Sequence, residues 1–230
     1  MRFSLFRYLI IALILVSGIS CNKRPPRPKS DEGIIEYRII YFEDKVGSIS
    51  PGLLPQTMEM KFKKNKVKNT IEGAMGFFSL INIADLNEMT NATFIKFIDK
   101  KYVYRGQKRE KPCCITPIEG MEITFTDETK EIIGLTSKRA IVSFPGSDNE
   151  SFSIYYTTEI RLKNPNITSP YKEIPGVLLE FRANLGQSEI QVVAQNYKSQ
   201  YLPDKEFHFP RNYKEISKQE MEKIINALLE

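Results

Sequence analysis

The chain has 230 residues, with 33 Lys and Arg against 28 Asp and Glu, a formal net charge of +5. That balance is too weakly basic to argue for nucleic acid, and 41% hydrophobic residues is enough to bury a core. One histidine and three cysteines leave little material for a metal site or a base-assisted nucleophile.

The first stretch is laid out as an export signal. Arg2 and Arg7 give a positive start, Tyr8 to Val16 an unbroken apolar run, and Ser17, Gly18 and Ser20 lead into Cys21. The run is too short to span a bilayer, so residues 1–20 are expected to be a signal peptide. The ending Gly18-Ile19-Ser20-Cys21 resembles a bacterial lipobox, although Gly18 stands where that motif prefers a branched apolar residue. The resemblance implies that Cys21 is acylated, with palmitate or a similar chain, and becomes the new first residue. Ordinary cleavage near Ser20, with Cys21 a plain thiol, is the other reading. Without Arg2 and Arg7 the balance is 31 against 28, or +3.

Residues 21–32 read as the lipidated cysteine and a tether. Pro25, Pro26 and Pro28 bias it to polyproline II, a spacer of roughly 25–30 Å at about 3.1 Å per residue. Lys23, Arg24, Arg27 and Lys29 suit anionic headgroups, and a plain solvated tether suits them equally. No acidic cluster follows Cys21, which favours an outer-membrane anchor facing the periplasm over surface export.

Residues 33–230 are expected to form a single β-rich domain. Ile35, Tyr37, Ile39 and Tyr41 alternate along a first strand, and Met58, Met60 and Phe62 along a second. Lys64-Asn65-Lys66 reads as a turn and Val67 to Ile71 as the returning strand. Lys61, Lys63, Lys64, Lys66 and Lys68 read as a solvent face that discourages edge pairing. Further strands are predicted over Phe77–Ala84, Thr93–Ile98, Lys101–Tyr104, Met121–Thr126, Glu131–Ile133, Arg139–Phe144, Phe152–Ile160, Val177–Arg182 and Glu189–Tyr197. Short strands between turn signals make a mainly β chain with an antiparallel sheet or open barrel. Ser217-Lys218-Gln219-Glu220 fits a capping box, and Met221, Ile224, Ile225 and Leu228 form an apolar stripe, so a helix is expected over 218–229, packed on the sheet.

Three segments of the second half carry a family resemblance. Residues 128–140 are similar to a "T-K-x-I-x-G-Y-K-C-K-K-A" stretch. Ile154 to Ile160 is similar to "W-Y-T-x-E-I", and Pro170 to Phe181 to "G-P-Y-x-x-x-x-L-P-G-L-I-L-E". Met58 to Val67 is a weaker echo of "M-x-M-x-F-K-x-N-K-V". All belong to secreted Bacteroidetes families of the GLPGLI type, which share the LolA-like fold of outer-membrane lipoprotein carriers. Leu135-Thr136-Ser137 and Tyr155 depart from the family's Tyr-Lys-Cys and tryptophan. The resemblance covers roughly residues 33–200. It implies a strongly curved antiparallel sheet, an incomplete barrel with a helix on its open side, and an apolar concavity of the kind that holds acyl chains or lipoproteins. Gly134 and Pro175-Gly176 read as turn makers that aim the strands after them.

Catalysis has little support. His208 sits among alternating aromatics in Glu206-Phe207-His208-Phe209-Pro210 with no Gly-flanked serine to serve. A two-carboxylate hydrolase has no sequence signal behind it. Cys113 and Cys114 are candidates for a strained vicinal disulfide, or else a pair of thiols. The expectation is therefore a non-enzymatic envelope lipoprotein with no metal and no cofactor. Its candidate apolar ligand face is Ile35, Tyr37, Ile39, Tyr41, Met58, Met60 and Phe62, and its partners are the membrane and an apolar ligand or protein client. A carrier of drug-sized ligands should show a void of about 300–1,000 Å³. The alternative is an interaction module whose core the final helix fills.

Overall fold

The computed structural model describes residues 30–42, 54–73, 76–110, 112–113, 120–145, 151–167, 169–186 and 188–229. The expected signal peptide and most of the expected tether lie outside the described residues. Strands β1 (Glu32–Tyr41), β2 (Thr57–Lys63), β3 (Lys66–Glu72), β4 (Phe78–Asp85), β5 (Thr90–Phe97) and β6 (Lys100–Arg105) come first. They are followed by β7 (Glu122–Ile132), β8 (Leu135–Ser143), β9 (Ser151–Thr157), β10 (Val177–Leu185) and β11 (Ser188–Lys198). A short β12 (Lys214–Glu215) and helix α1 (Lys218–Leu229) complete the order.

All twelve strands belong to one curved sheet, in the order β12-β6-β5-β4-β3-β2-β1-β11-β10-β9-β8-β7. It is two antiparallel meanders, β1 to β6 and β7 to β11, laid side by side and joined where β1 pairs with β11. The edges β7 and β12 do not pair with each other, so the sheet is not closed into a barrel. One pairing departs from the expected antiparallel plan, because β12 runs parallel to β6. Two residues carry no periodicity, which is why β12 is absent from the sequence reading. The two strands expected over 121–126 and 131–133 are one strand, β7, with an irregularity between Phe125 and Thr129.

Cross-strand register decides which residues share the concave face. One row runs Tyr197, Ile35, Met60, Asn69, Asn82, Thr93, Tyr104, and the next Ala194, Tyr37, Met58, Ile71, Leu80, Ile95, Tyr102. The helix forms as expected. Ser217 N–H donates to Glu220 Oε2 (2.9 Å) and Glu220 N–H to Ser217 Oγ (3.3 Å), the reciprocal bonds of a capping box. Met221 and Ile225 are fully buried in the concave core, with Ile224 and Leu228 packed against it.

Two turns show why glycine is needed for different reasons. Gly134 takes a φ of +75° in the β7–β8 turn, which favours glycine. Gly176 does not use that freedom. A Cβ there would lie 2.3 Å from the Thr157 carbonyl oxygen, so the requirement is close approach of β10 to β9.

The lysines of β2 overturn the expectation of a bare solvent face. β2 lies inside the sheet, and residues 199–213 run as a strap across its convex side. Leu202 and Phe207 are buried, and Phe94 packs against Phe209 and Tyr213. Lys63, 8% exposed, donates to Asp204 (2.9 Å), and Lys61 donates to Glu206 (3.0 Å). Each ammonium holds its carboxyl partner below the ordinary value, 3.8 for Asp204 and 4.5 for Glu206. A depressed carboxyl stabilises the fold above its ordinary pKa and loses that contribution as pH falls through the lowered one. Acid is therefore expected to loosen the strap. Amide exchange, corrected for intrinsic rate, should accelerate over 199–213 between about pH 6 and about pH 3 while β1 stays protected. Equal protection of both segments at low pH would show that the two ion pairs do not hold the strap.

Candidate functional site

A single sheet must cover its concave face with other parts of the chain, and three segments among the described residues do most of this. Helix α1 covers the side near β6. The connection from β9 to β10 joins neighbouring strands but takes residues 158–176, folding over the face instead of turning tightly. Tyr171 and Ile174 on it are buried in a second core with Ala140, Val142, Ile154, Tyr156 and Leu178. The connection from β6 to β7, residues 106–121, has to pass from one end of the strand order to the other, and Pro112 and Cys113 lie along it.

Under the second and third of these coverings there is a cavity of about 180 Å³. Its wall comes from β1 to β5, β10 and β11, including Tyr37, Met58, Met60, Ile71, Leu80, Phe181 and Val192. Pro112, Cys113, Pro165, Asn166 and Ser169 form its cover. No described helix residue lines it. The volume is below that of a drug-sized pocket, about 300–1,000 Å³, and close to the roughly 150 Å³ that admits one benzene ring.

The seven residues expected to form the ligand face all point to this side and belong to one cluster, but only Tyr37, Met58 and Met60 line the cavity. Ile35, Ile39 and Phe62 are buried core, with Phe62 stacked on Tyr197. Tyr41 is half-buried and donates to the Pro55 carbonyl (2.9 Å). Tyr37 is held most tightly. Its hydroxyl donates to the Leu178 carbonyl (2.9 Å), beside an irregularity in the β9–β10 ladder, and its ring meets Phe181 edge-on. Burial pushes the Tyr37 phenol well above its ordinary value, so it stays a neutral donor.

The cover is pinned by polar side chains. Asn166, 6% exposed, donates to the Ile174 and Gly176 carbonyls, both at 2.8 Å. Tyr171 donates to the Arg182 carbonyl (2.6 Å), and burial raises its phenol too. On the other side Glu110 fastens residues 106–110. It accepts from Tyr104 (2.7 Å) and the Gln107 N–H (2.8 Å) and pairs with Lys218 (3.2 Å). The Gln107 N–H is the main reason its carboxyl lies below the ordinary range. This group belongs to an outer hollow of about 510 Å³ whose lining includes Lys108, Arg109 and Ser217.

Cys113 is disulfide-bonded and its Sγ lies 4.0 Å from the Lys218 carbonyl oxygen. Cys114 and Cys21 lie outside the described residues. His208 is exposed on the strap. Among the described residues, no group of three or more His, Cys, Asp or Glu is placed to hold a metal ion. No described helix is long and apolar enough to cross a membrane.

The sequence reading missed the polar part of the wall. Asn69 and Asn82 occupy inward positions between Val67 and Ile71 and between Leu80 and Ala84. An amide at an inward position in each of two successive strands was the available signal.

No protein-family model matches the chain, and no curated protein matches it. The segments that resemble the GLPGLI type have clear structural places: the β7–β8 hairpin, strand β9, and the cover leading into β10.

Tyr37 permits a test of how the wall is held. Tyr37→Phe leaves the Leu178 carbonyl without its donor and should cost about 1–3 kcal/mol in chemical denaturation. An unchanged midpoint would mean that the hydroxyl bond does not fix β1 to β10.

Proposed function

We propose that this protein is a non-enzymatic, lipid-anchored envelope module of the LolA-like kind, facing the periplasm, whose concave sheet holds the apolar part of an acyl ligand or client. The observation that carries the reading is the cavity of about 180 Å³ between the sheet and its covers. Two methionines in its wall support the reading, since a flexible thioether repacks around guests of different shape. The size limits the bound part to a short chain segment or a ring.

A second reading has its own observation. Ile35, Ile39 and Phe62 form one continuous core with Met221 and Ile225, so most of the concavity is filled by the chain itself. An interaction module of an envelope complex would need no more.

Binding separates the two. Protein incubated with acyl ligands should carry one in native mass spectra. Met58→Glu, at a half-buried wall position, should weaken uptake by roughly tenfold or more with little loss of stability. Ile39→Glu places a charge in a site 4% exposed that does not line the cavity, and should chiefly destabilise the fold. Apo protein alone after incubation would favour the self-filled module.

Anchoring has a separate test. The acylated chain is expected to sediment with membranes, each buried CH₂ contributing about 0.8 kcal/mol, and Cys21→Ser should release it or leave it unprocessed. A serine variant that is cleaved normally yet stays membrane-bound would show that Cys21 is not the anchor.

A further inference from the structure

The cavity wall has a chemical pattern that narrows the ligand. None of its described lining residues is Asp, Glu, Lys, Arg or His. Polar groups are nevertheless present, and in the β-sheet they are contiguous. Asn69, Asn82 and Thr93 stand side by side in one cross-strand row, between Met60 on one flank and Tyr104 on the other. Asn82 Nδ2 donates to Thr93 Oγ1 (3.2 Å), which orients that pair. The Asn69 amide has no hydrogen-bond partner among the described residues, and the Thr93 hydroxyl, 1% exposed as a residue, has no acceptor among them. Asn184 from β10 adds a further uncharged amide to the lining.

Resting on the carrier reading above, we infer that the cavity selects a neutral amphiphile: a short alkyl segment ending in a hydroxyl, ester or amide, and not a fatty carboxylate. The alkyl part lies against Met58, Met60 and Leu80, and the head meets the row of Asn69, Asn82 and Thr93. The amide offers both a donor and an acceptor, so an alcohol or a carboxamide finds complementary partners there. A carboxylate finds no cation among the described lining residues, and enclosing an unpaired charge is far more costly than enclosing a hydrogen-bonded neutral group. The volume fits on the order of six to eight heavy atoms, judged by the roughly 150 Å³ cavity that admits benzene.

The test uses the full chain in phosphatidylcholine nanodiscs, with ¹³C-methyl methionine, so that Met58 and Met60 report occupancy directly. Hexanol, hexanamide and hexanoate, of seven or eight heavy atoms, are titrated at about pH 8, where the acid is ionised, and empty nanodiscs fix the free concentrations. The expected result is that hexanol and hexanamide shift both methyl signals at roughly tenfold lower free concentration than hexanoate. Asn69→Leu and the near-isosteric Thr93→Val should each reduce that preference to within roughly twofold while binding persists. Hexanoate binding as well as hexanol to the unaltered chain overturns the inference and leaves the carrier reading standing. So does a preference that survives in both variants. Failure of all three ligands to move either signal overturns the carrier reading, and the inference with it.

Discussion

The structure depends on one constraint: a single open sheet has no second sheet to bury its inner face. A fully buried Val, Leu, Ile, Phe or Met side chain contributes roughly 1.5–3 kcal/mol relative to exposure, so a concave row of such residues cannot be left to water. Three unrelated segments supply the cover, and each departs from the shortest path the chain could take. The β9–β10 connection is long although its strands are neighbours. The β6–β7 connection must pass between opposite ends of the strand order. The C-terminal segment leaves β11, crosses the convex side, pairs with β6 and only then enters the concavity as α1. The cavity lies under the β6–β7 and β9–β10 connections because neither extends the regular packing of the sheet.

The convex face has the same requirement on a smaller scale. Ile83, Ala92, Phe94 and Val103 form a separate core there, with Ile81 and Tyr213 against it. The strap that covers this core is held by Lys61 and Lys63, whose ammonium groups reach carboxylates on the strap itself. Lys63 also lies over the Tyr201 ring, 4.6 Å from its centroid. The same strap ends in β12 and leads directly into Ser217 and the helix. Convex packing therefore positions the concave plug, and the two faces are mechanically one feature of the C-terminal chain.

Much of this was legible in sequence, for a local reason. Alternation in Ile35-to-Tyr41 and Met58-to-Phe62 fixes strand identity and face within a few residues, and a Ser-x-x-Glu box followed by an apolar stripe fixes the helix bounds. What could not be read depends on pairing between distant segments. Nothing in Lys61 and Lys63 says that a segment some 140 residues later will cover them. The parallel partner of β6 is two residues long. The role of Gly176 is a contact with Thr157, nineteen residues earlier in the chain, and its own φ carries no trace of it. For the candidate site, strand parity placed all seven residues on one side, but which of them face a void is set by where the covers end.

The void itself has an energetic meaning. At about 24 cal/mol per Å³, an empty and wholly apolar space of 180 Å³ would cost about 4 kcal/mol, a large share of the ordinary 5–15 kcal/mol stability of a domain. A larger residue at Ala84 or Ala183 in its wall would reduce that cost, and the chain has alanine at both. The wall is not wholly apolar, however, since Asn69 brings to it an amide with no hydrogen-bond partner among the described residues. An unsatisfied amide makes a dry cavity worse and a hydrated one tolerable, because a water held by two or more polar groups recovers most of the loss. A ligand entering a hydrated cavity of this kind has to replace the hydrogen bonds that water would give the amide. A purely hydrocarbon chain would expel the water and leave the amide bare, whereas an alcohol or carboxamide replaces its hydrogen bonds while its alkyl part gains contact with Met58, Met60 and Leu80. The wall's chemistry favours a guest that is apolar along its length and hydrogen-bonding at one end.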